Sequence, residues 1–161
     1  HLLSIVSNFK NISSILEIGP GRCYFARCIN SDRPEINLKL LDIVDLTKKG
    51  LPKNIELING SVTKLPFKDN EIDLVVATEV LEHIELSSFI LGLSEIRRVS
   101  KQYIVSVPYL EKEPIYKGHI QRFNEASIKQ WFPNEEKHIL LKPQQGSPII
   151  VMISRTKDSD K

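Results

Sequence analysis

The feature that most constrains the fold of this chain is a succession of short apolar runs. The run IDLVVA (72–77) is apolar on both of its alternating faces, as a central strand of a parallel sheet must be. Further strands are predicted at 14–18, 38–43, 55–60 and 102–107, and the segments KHILLK and IIVMISR flank PQQGS as a terminal β-hairpin. Helices are predicted at 22–30, 86–99 and 124–132, and the last has Asn124 as its N-cap.

The order of these segments predicts the architecture. Strands alternate with helices through residue 107, and two strands then follow each other directly. Alternation favours a parallel sheet covered on both faces, while the closing hairpin places one antiparallel strand at or near an edge. We therefore expect an α/β fold, a Rossmann-like, doubly wound, seven-stranded mixed sheet with a C-terminal antiparallel hairpin. One domain is expected over residues 1–155, followed by a polar tail at 156–161.

Composition excludes some classes of function. The net charge is +2 and the basic residues form no dense block, which argues against nucleic acid as a partner. No apolar run reaches the ~20 residues that a membrane span needs. Cys23 and Cys28 lie five residues apart and do not share a helix face. The simplest interpretation is two reduced thiols in a cytoplasmic protein.

A glycine-rich turn comes after the first predicted strand. Gly19, Pro20 and Gly21 directly follow SILEI, and a predicted helix follows them. Ligands of open α/β sheets bind at the carboxyl ends of strands, and glycine lets a ligand approach the backbone closely. The turn therefore indicates a nucleotide site, with a purely structural turn as the alternative.

An acidic residue strengthens this interpretation. Asp42 ends the second predicted strand about 20 residues beyond the turn, where a carboxylate can accept hydrogen bonds from both ribose hydroxyls. Capping of the following turn is the alternative role, and Asp45 is the second candidate for the ribose. Tyr24 occupies the last glycine position of a dinucleotide fingerprint, which argues against NAD. The expected ligand has an adenosine but no pyrophosphate.

Three segments carry a family resemblance. LEIGPGRC resembles motif I of the class I S-adenosylmethionine-dependent methyltransferases, and GHIQRFNEASIKQWF resembles their H-x-x-x-F segment. The segment 59–84, NGSVTKLPFKDNEIDLVVATEVLEHI, is similar to the small type 11 and ubiquinone-biosynthesis-like groups. The resemblance covers about residues 12–155. It implies methyl transfer from S-adenosylmethionine to O, N or C of a small or medium acceptor, with S-adenosylhomocysteine as product.

The resemblance also implies a cofactor site. Its expected members are Glu17, Gly19, Pro20, Gly21, Asp42, Ile43, Gly60, Ser61, Val62, Thr78 and Glu79. Glu17 and the glycines are expected at the methionine end, Ile43 against the adenine, and Glu79 near the sulfonium. The chain departs from the family pattern at Cys23, which replaces the third glycine, and at Ser61, which replaces an aspartate that meets the adenine edge.

Two histidines are the candidate catalytic residues. His119 lies in the loop after the fifth strand, and His83 follows the fourth strand, where stabilising its loop is the alternative role. A general base is needed only when the acceptor atom carries a proton that must leave. No metal site is predicted, because no His/Cys pair has zinc spacing and no carboxylate cluster is evident.

The sequence leaves several alternatives for function open. The short segment before the first strand and the modest insert at 108–122 predict an open acceptor cleft. Such a cleft suits a lipid-, glycan- or carrier-linked acceptor. The alternative is that a partner subunit completes the site, and a homodimer is not excluded. The alternative functions are a non-catalytic cofactor-binding or scaffolding relative, an RNA methyltransferase and a nicotinamide oxidoreductase.

Overall fold

The chain folds around one seven-stranded sheet. The structure is a computed structural model that describes residues 2–133, 137–142 and 146–154. The strands are β1 (Ser14–Ile18), β2 (Asn37–Asp42), β3 (Glu56–Asn59), β4 (Ile72–Thr78), β5 (Ser100–Pro108), β6 (Lys137–Leu141) and β7 (Ile149–Ile153). The helices are α1 (Leu2–Val6), α2 (Tyr24–Asp32), α3 (Leu86–Val99) and α4 (Glu125–Trp131).

The strand order is β3-β2-β1-β4-β5-β7-β6. Strands β1 to β5 are mutually parallel, and β7 runs antiparallel to both of its neighbours, β5 and β6. The predicted mixed sheet, with one reversed strand near its edge, is confirmed. The chain builds outward from β1 to β3 and then crosses to β4 on the other side of β1, so a crevice opens beyond the carboxyl ends of β1 and β4.

Burial on both faces of β4 explains its continuous apolar sequence. Leu74 and Val76 belong to a cluster with residues of α2, whereas Val75 and Ala77 belong to a second cluster with residues of α3. All four side chains are fully buried. A strand covered by helices on both sides has no polar face, and β4 therefore lies at the centre of the sheet.

Two of the connections differ from the predicted alternation. A short 3-10 helix, Thr47–Lys49, connects β2 to β3, and the loop 60–71 connects β3 to β4 without a helix. Side chains of α3 hold this loop: Arg98 donates to the carbonyl oxygens of Phe67 and Leu65 at 2.7 and 3.2 Å. Glu95 accepts from the Leu65 N–H at 2.8 Å. Hydrogen bonds from side chains of α3 thus stabilise this loop, in place of the backbone hydrogen bonds that a crossover helix would make within itself.

The helix predicted at 22–30 begins two residues later. Cys23 has a φ of 59°, and such a left-handed backbone still belongs to the turn rather than to a helix. The predicted N-cap of α4 is confirmed. Asn124 accepts from the Ser127 N–H at 3.0 Å, and the Asn124 N–H donates to the Ser127 hydroxyl at 2.8 Å.

Some predictions fall outside the described residues. The tip of the predicted hairpin, 143–145, and the predicted tail, 156–161, both lie there. The single-domain boundary at residue 155 stays a prediction. Among the described residues, no helix combines the length and apolar character that crossing a bilayer requires.

Candidate functional site

A groove lies at the carboxyl ends of β1, β2 and β4, where the fold predicts a ligand. Its volume is about 250 Å³. It is lined by Ile18, Gly19, Gly21, Leu41, Asp42, Ile43, Gly60, Val62, Glu79, Val80, His83 and Ile84. Seven of the eleven positions predicted for the cofactor are on this lining, because the segments at the ends of β1, β2, β3 and β4 converge at one edge of the sheet. We call it the cofactor groove.

The glycine turn forms one wall of the groove. Gly19 has a φ of +63°, and its N–H donates to the Leu41 carbonyl at 2.9 Å. A Cβ at Gly19 would lie 2.5 Å from Val80 Cγ2, so the turn packs directly against the segment after β4. Gly21 also has a positive φ, +52°, but a Cβ there would meet no atom within 4 Å. Gly19 therefore serves close packing, whereas Gly21 faces open space.

The end of β2 supplies a carboxylate and an exposed apolar side chain. Asp42 Oδ1 accepts from the Val44 N–H at 3.0 Å, which uses one of its two oxygens. Ile43 is 76% exposed although it is aliphatic, and it stands at the groove. Asp45 accepts from the Thr47 N–H at 2.9 Å and does not line the groove. The geometry thus favours Asp42 over Asp45 for a ligand contact.

Four predicted residues do not line the groove. They are Glu17, Pro20, Ser61 and Thr78. The Ser61 hydroxyl lies 2.8 Å from the Thr63 hydroxyl and accepts from the Thr63 N–H at 3.2 Å, so it stabilises its own turn. Thr78 lines a further small cavity together with Leu2 and Ile5 of α1, and Glu79 lines both this cavity and the groove.

Glu17 is a buried acid under the turn. Its side chain is 5% exposed, and within the described part of the chain Oε2 has no hydrogen-bond partner. Burial raises the pKa of Glu17 to about 8, with a backbone hydrogen bond from Ala26 opposing it. A buried carboxyl with an unused oxygen suits a ligand that brings a positive charge or a donor.

A second cavity of about 580 Å³ adjoins the groove. It is lined by Glu79, His83, Pro108, Glu111, Pro114, Tyr116, His119, Gly146, Ser147 and Ile149. Glu79 and His83 line both spaces, so the groove and this cavity meet at these two side chains. We call it the acceptor cavity.

Glu79 has an unusual backbone at this junction. Its φ is +54°, in the left-handed region that a side chain other than glycine rarely adopts. Its Oε1 accepts from the Ser106 hydroxyl of β5 at 2.8 Å. Burial raises the pKa of Glu79, and the hydrogen bond from Ser106 opposes this shift. Local strain of this kind concentrates at functional sites.

The two predicted histidines come together in the acceptor cavity. The ring centroids of His83 and His119 are 4.9 Å apart, in an edge-to-face arrangement. His83 Nδ1 donates to the Gly118 carbonyl at 3.0 Å, and His119 Nδ1 lies 2.9 and 3.0 Å from the two Glu111 oxygens. Each imidazole is therefore oriented through Nδ1, which leaves its Nε2 for another contact.

Backbone bonds hold the loop of His119 over the turn of His83. The N–H groups of Ile120 and Gln121 donate to the Glu82 carbonyl at 2.7 and 3.0 Å. The Gln121 side chain donates to the Ile84 carbonyl at 3.2 Å. These bonds join the loop after β5 to the short 3-10 helix Leu81–His83.

Two acidic residues of this region, Glu82 and Glu111, were not predicted from the sequence. Glu82 is fully buried, and within the described residues neither of its carboxylate oxygens has a hydrogen-bond partner. Burial raises the pKa of Glu82 to about 8; its own backbone N–H opposes this shift, and the nearby Glu79 and Glu111 add to it. The local signal for Glu82 is its place in EVLEH, and nothing in the sequence links Glu111 to His119.

A doubly wound sheet with a glycine turn, a strand-end carboxylate and an adjoining cavity defines an α/β fold of the class that binds nucleotide-like ligands. The family model for "Methyltransferase domain" matches residues 16–103, more than half of the chain. The chain therefore belongs to this family, within the class I S-adenosylmethionine-dependent methyltransferases.

A sequence relative aligns with most of the chain. The "Uncharacterized protein MJ0638" of Methanocaldococcus jannaschii is 32% identical over 134 residues, which cover 79% of this chain. The chain spans only 57% of the length of that relative.

Solved structures share the fold. A Burkholderia thailandensis 1,6-didemethyltoxoflavin-N1-methyltransferase with bound S-adenosylhomocysteine has a TM-score of 0.74 at 16% identity, covering 97% of this chain and 76% of that one. A SAM-dependent methyltransferase from Aquifex aeolicus has a TM-score of 0.65 at 16% identity, covering 94% and 87%.

The groove fits the cofactor of this class. Asp42 offers a carboxylate at the strand end, Ile43 an exposed apolar face, and Gly21 an open approach to the backbone. The unused Oε2 of Glu17 lies buried beneath the turn. The groove residues match a ligand that has a ribose and an aromatic base.

Proposed function

We propose that this chain binds S-adenosylmethionine in the cofactor groove and methylates a hydroxyl group of a small or medium acceptor in the acceptor cavity. When bound, S-adenosylmethionine supplies a methyl group that is already activated by a positively charged sulfur. One observation carries the proposal: Glu79 and His83 line both the groove and the cavity. Residues shared by two adjoining spaces mark the place where a donor and an acceptor meet.

Different residues of the groove would contact different parts of the cofactor. Asp42 would hold the ribose hydroxyls, and Ile43 would pack against the base. Gly60 and Val62 would lie along its edge, while Glu79 would face the amino-acid part together with the glycine turn. Four residues stay predictions of the family pattern, since they do not line the groove: Glu17, Pro20, Ser61 and Thr78.

The acceptor cavity supports a hydroxyl as the reacting group. A hydroxyl loses its proton when it is methylated, so a group beside it must make it more nucleophilic. His83 and His119 both line the cavity, and each is fixed through Nδ1 with Nε2 unused by that contact. A volume of about 580 Å³ lies within the usual range of small-molecule sites.

The first test is calorimetric titration with S-adenosylhomocysteine and NAD. We expect binding of S-adenosylhomocysteine by the wild type, weak binding by Asp42→Ala, and no binding of NAD. A screen of hydroxylated acceptors with methyl-labelled S-adenosylmethionine then tests the reaction, with His119→Ala as the impaired variant. His138→Ala is the matched control, because His138 is exposed on β6. A folded wild type that fails to bind S-adenosylhomocysteine would contradict the proposal.

A further inference from the structure

We propose that Glu82, His83 and His119 form a binding site for a first-row divalent metal ion beside the acceptor cavity. One ligand atom from each of these side chains lies within 4.8 Å of the other two. His83 Nε2 is 3.9 Å from Glu82 Oε1. Two atoms bound to a tetrahedral zinc ion lie about 3.4 Å apart, so the three side chains would draw closer together on binding the ion.

Glu82 is the first observation that points to an ion. Its side chain is 0% exposed, yet within the described chain both carboxylate oxygens lack a hydrogen-bond partner. A buried carboxylate without donors is costly, and native structures rarely keep one without a partner of some kind. A metal ion held in common with the adjacent imidazoles would satisfy it.

The orientation of the two imidazoles is the second, independent observation. His83 donates from Nδ1 to the Gly118 carbonyl, and His119 has its Nδ1 against the Glu111 carboxylate. Histidines that ligate metals almost always use one ring nitrogen for such an outer contact and the other for the ion. Here both rings have the outer contact, and they pack edge to face with centroids 4.9 Å apart.

The local charge also favours a cation. Glu79 and Glu111 line the acceptor cavity together with His83 and His119. Two carboxyl groups and two imidazoles thus line one cavity beside Glu82, and a divalent ion there would favour the ionised form of the neighbouring carboxyl groups. Two nitrogen ligands and one oxygen ligand form a set used for zinc and similar ions, and it leaves a coordination position open.

The role of the ion rests on the proposed function. An open position beside the acceptor cavity would take the acceptor oxygen and lower the pKa of its hydroxyl group. The hydroxyl proton would leave to water, and an oxygen lone pair would form the bond to the methyl carbon. The electron pair of the broken carbon–sulfur bond would stay on the sulfur of S-adenosylmethionine. Glu82 and the two histidines would then act by holding the ion.

The sequence analysis missed this site for a physical reason. Glu82 and His83 are adjacent, while His119 lies far along the chain, so no metal-binding spacing appears in the sequence. The bonds from Ile120 and Gln121 to the Glu82 carbonyl place His119 over the other two residues.

The test uses metal-free chain prepared with a chelator and titrated with Zn²⁺ by calorimetry. We expect one Zn²⁺ per chain in the wild type and in the His138→Ala control. Binding should weaken at least about tenfold in Glu82→Gln and in His119→Ala, because each loses a ligand. Glu82→Gln keeps the shape of the buried side chain, and circular dichroism checks that each variant is folded.

Co²⁺ gives a second readout without turnover. Its visible absorption should show the bands of a site with nitrogen ligands in the wild type, and Glu82→Gln should lose them. No Zn²⁺ binding by the folded wild type, or equal binding by all four proteins, would overturn the metal site. A parallel titration with S-adenosylhomocysteine separates the two proposals. If the chain binds S-adenosylhomocysteine but not Zn²⁺, only the metal site is overturned. If the chain binds Zn²⁺ but not S-adenosylhomocysteine, only the proposed function is overturned.

Discussion

His83 and His119 lie in different loops of the chain, yet their rings pack edge to face with centroids 4.9 Å apart. Both Nδ1 atoms face acceptors, the Gly118 carbonyl and the Glu111 carboxylate. A carbonyl oxygen only accepts, so Nδ1 of neutral His83 must carry the proton. We predict that the neutral form of both residues is the Nδ1–H tautomer. Long-range ¹H–¹⁵N spectra of the metal-free chain would test this, with exposed His138 as the internal reference.

Asp42→Ala should weaken binding of S-adenosylhomocysteine at least about tenfold, since hydrogen bonds to a charged group contribute about 1.5–3 kcal/mol. Asp45→Ala is a close control. Each carboxylate accepts from the backbone N–H two residues later, but only Asp42 lines the cofactor groove. Calorimetry on both variants checks the prediction, and equal weakening in the two would contradict it.

Gly19→Ala should destabilise the fold. The left-handed backbone costs an L-residue about 1–2 kcal/mol, and overpacking against Val80 adds about 1–3 kcal/mol. Gly50→Ala isolates the first of these costs, because Gly50 has a φ of +60° and open space around it. The two free energies of unfolding, measured with urea, should therefore differ by the cost of the Val80 contact. Equal losses of unfolding free energy in the two variants would show that Val80 moves away from the added Cβ without an energetic cost.

Glu17→Gln should gain stability relative to the wild type as the pH rises. The pKa of Glu17 is raised to about 8 in the folded chain, above its unfolded value near 4.3. Between about pH 5 and pH 8 the unfolded chain therefore binds fewer protons, and the free energy of unfolding of the wild type falls as pH rises. Gln cannot ionise, so the variant lacks this slope. Urea unfolding at several pH values measures it, and a difference independent of pH would contradict the assignment.

Asp73→Asn should destabilise the chain at neutral pH. Asp73 Oδ2 accepts from the Ser13 N–H and hydroxyl at 2.8 and 2.7 Å, and Lys101 Nζ lies 2.7 Å from Oδ1. Burial raises the pKa of Asp73, but the bonds from Lys101 and Ser13 outweigh it and hold the pKa well below its usual range. This contribution is present above about pH 4, the unfolded pKa, and is lost as pH falls through the folded value.

The expected loss for Asp73→Asn is about 1–3 kcal/mol at pH 7, from the charged hydrogen bonds. The difference from the wild type should shrink on acidification. Asp32→Asn, an exposed acid at the end of α2, is the control and should change little. A loss for Asp73→Asn that stays constant down to strongly acid pH would show that packing, rather than the ionised carboxylate, is responsible.

Local sequence determined the architecture and one half of the site. Apolar residues on both faces of IDLVVA predict a strand with helices on both sides, and β4 is indeed an interior strand of the sheet. That Gly19, Gly21 and Asp42 line one groove was predictable because they lie close to strand ends, and the ends of parallel strands share one edge; their contact with a cofactor stays a prediction. Asn124 was predictable as an N-cap because its bonds are to a residue three positions away.

Only the tertiary structure decided the acceptor side. The grouping of Glu82, His83 and His119 depends on how the loop after β5 packs on the turn after β4. Backbone hydrogen bonds hold these two segments together, and residue types do not predict such bonds. Glu111 meets His119 within that same loop, and Ser61 turns its hydroxyl to Thr63. The sequence by itself determined the features that depend on periodicity and on strand ends, because these are local. Contacts between distant loops are set by the packing of the whole chain, and the structure alone shows them.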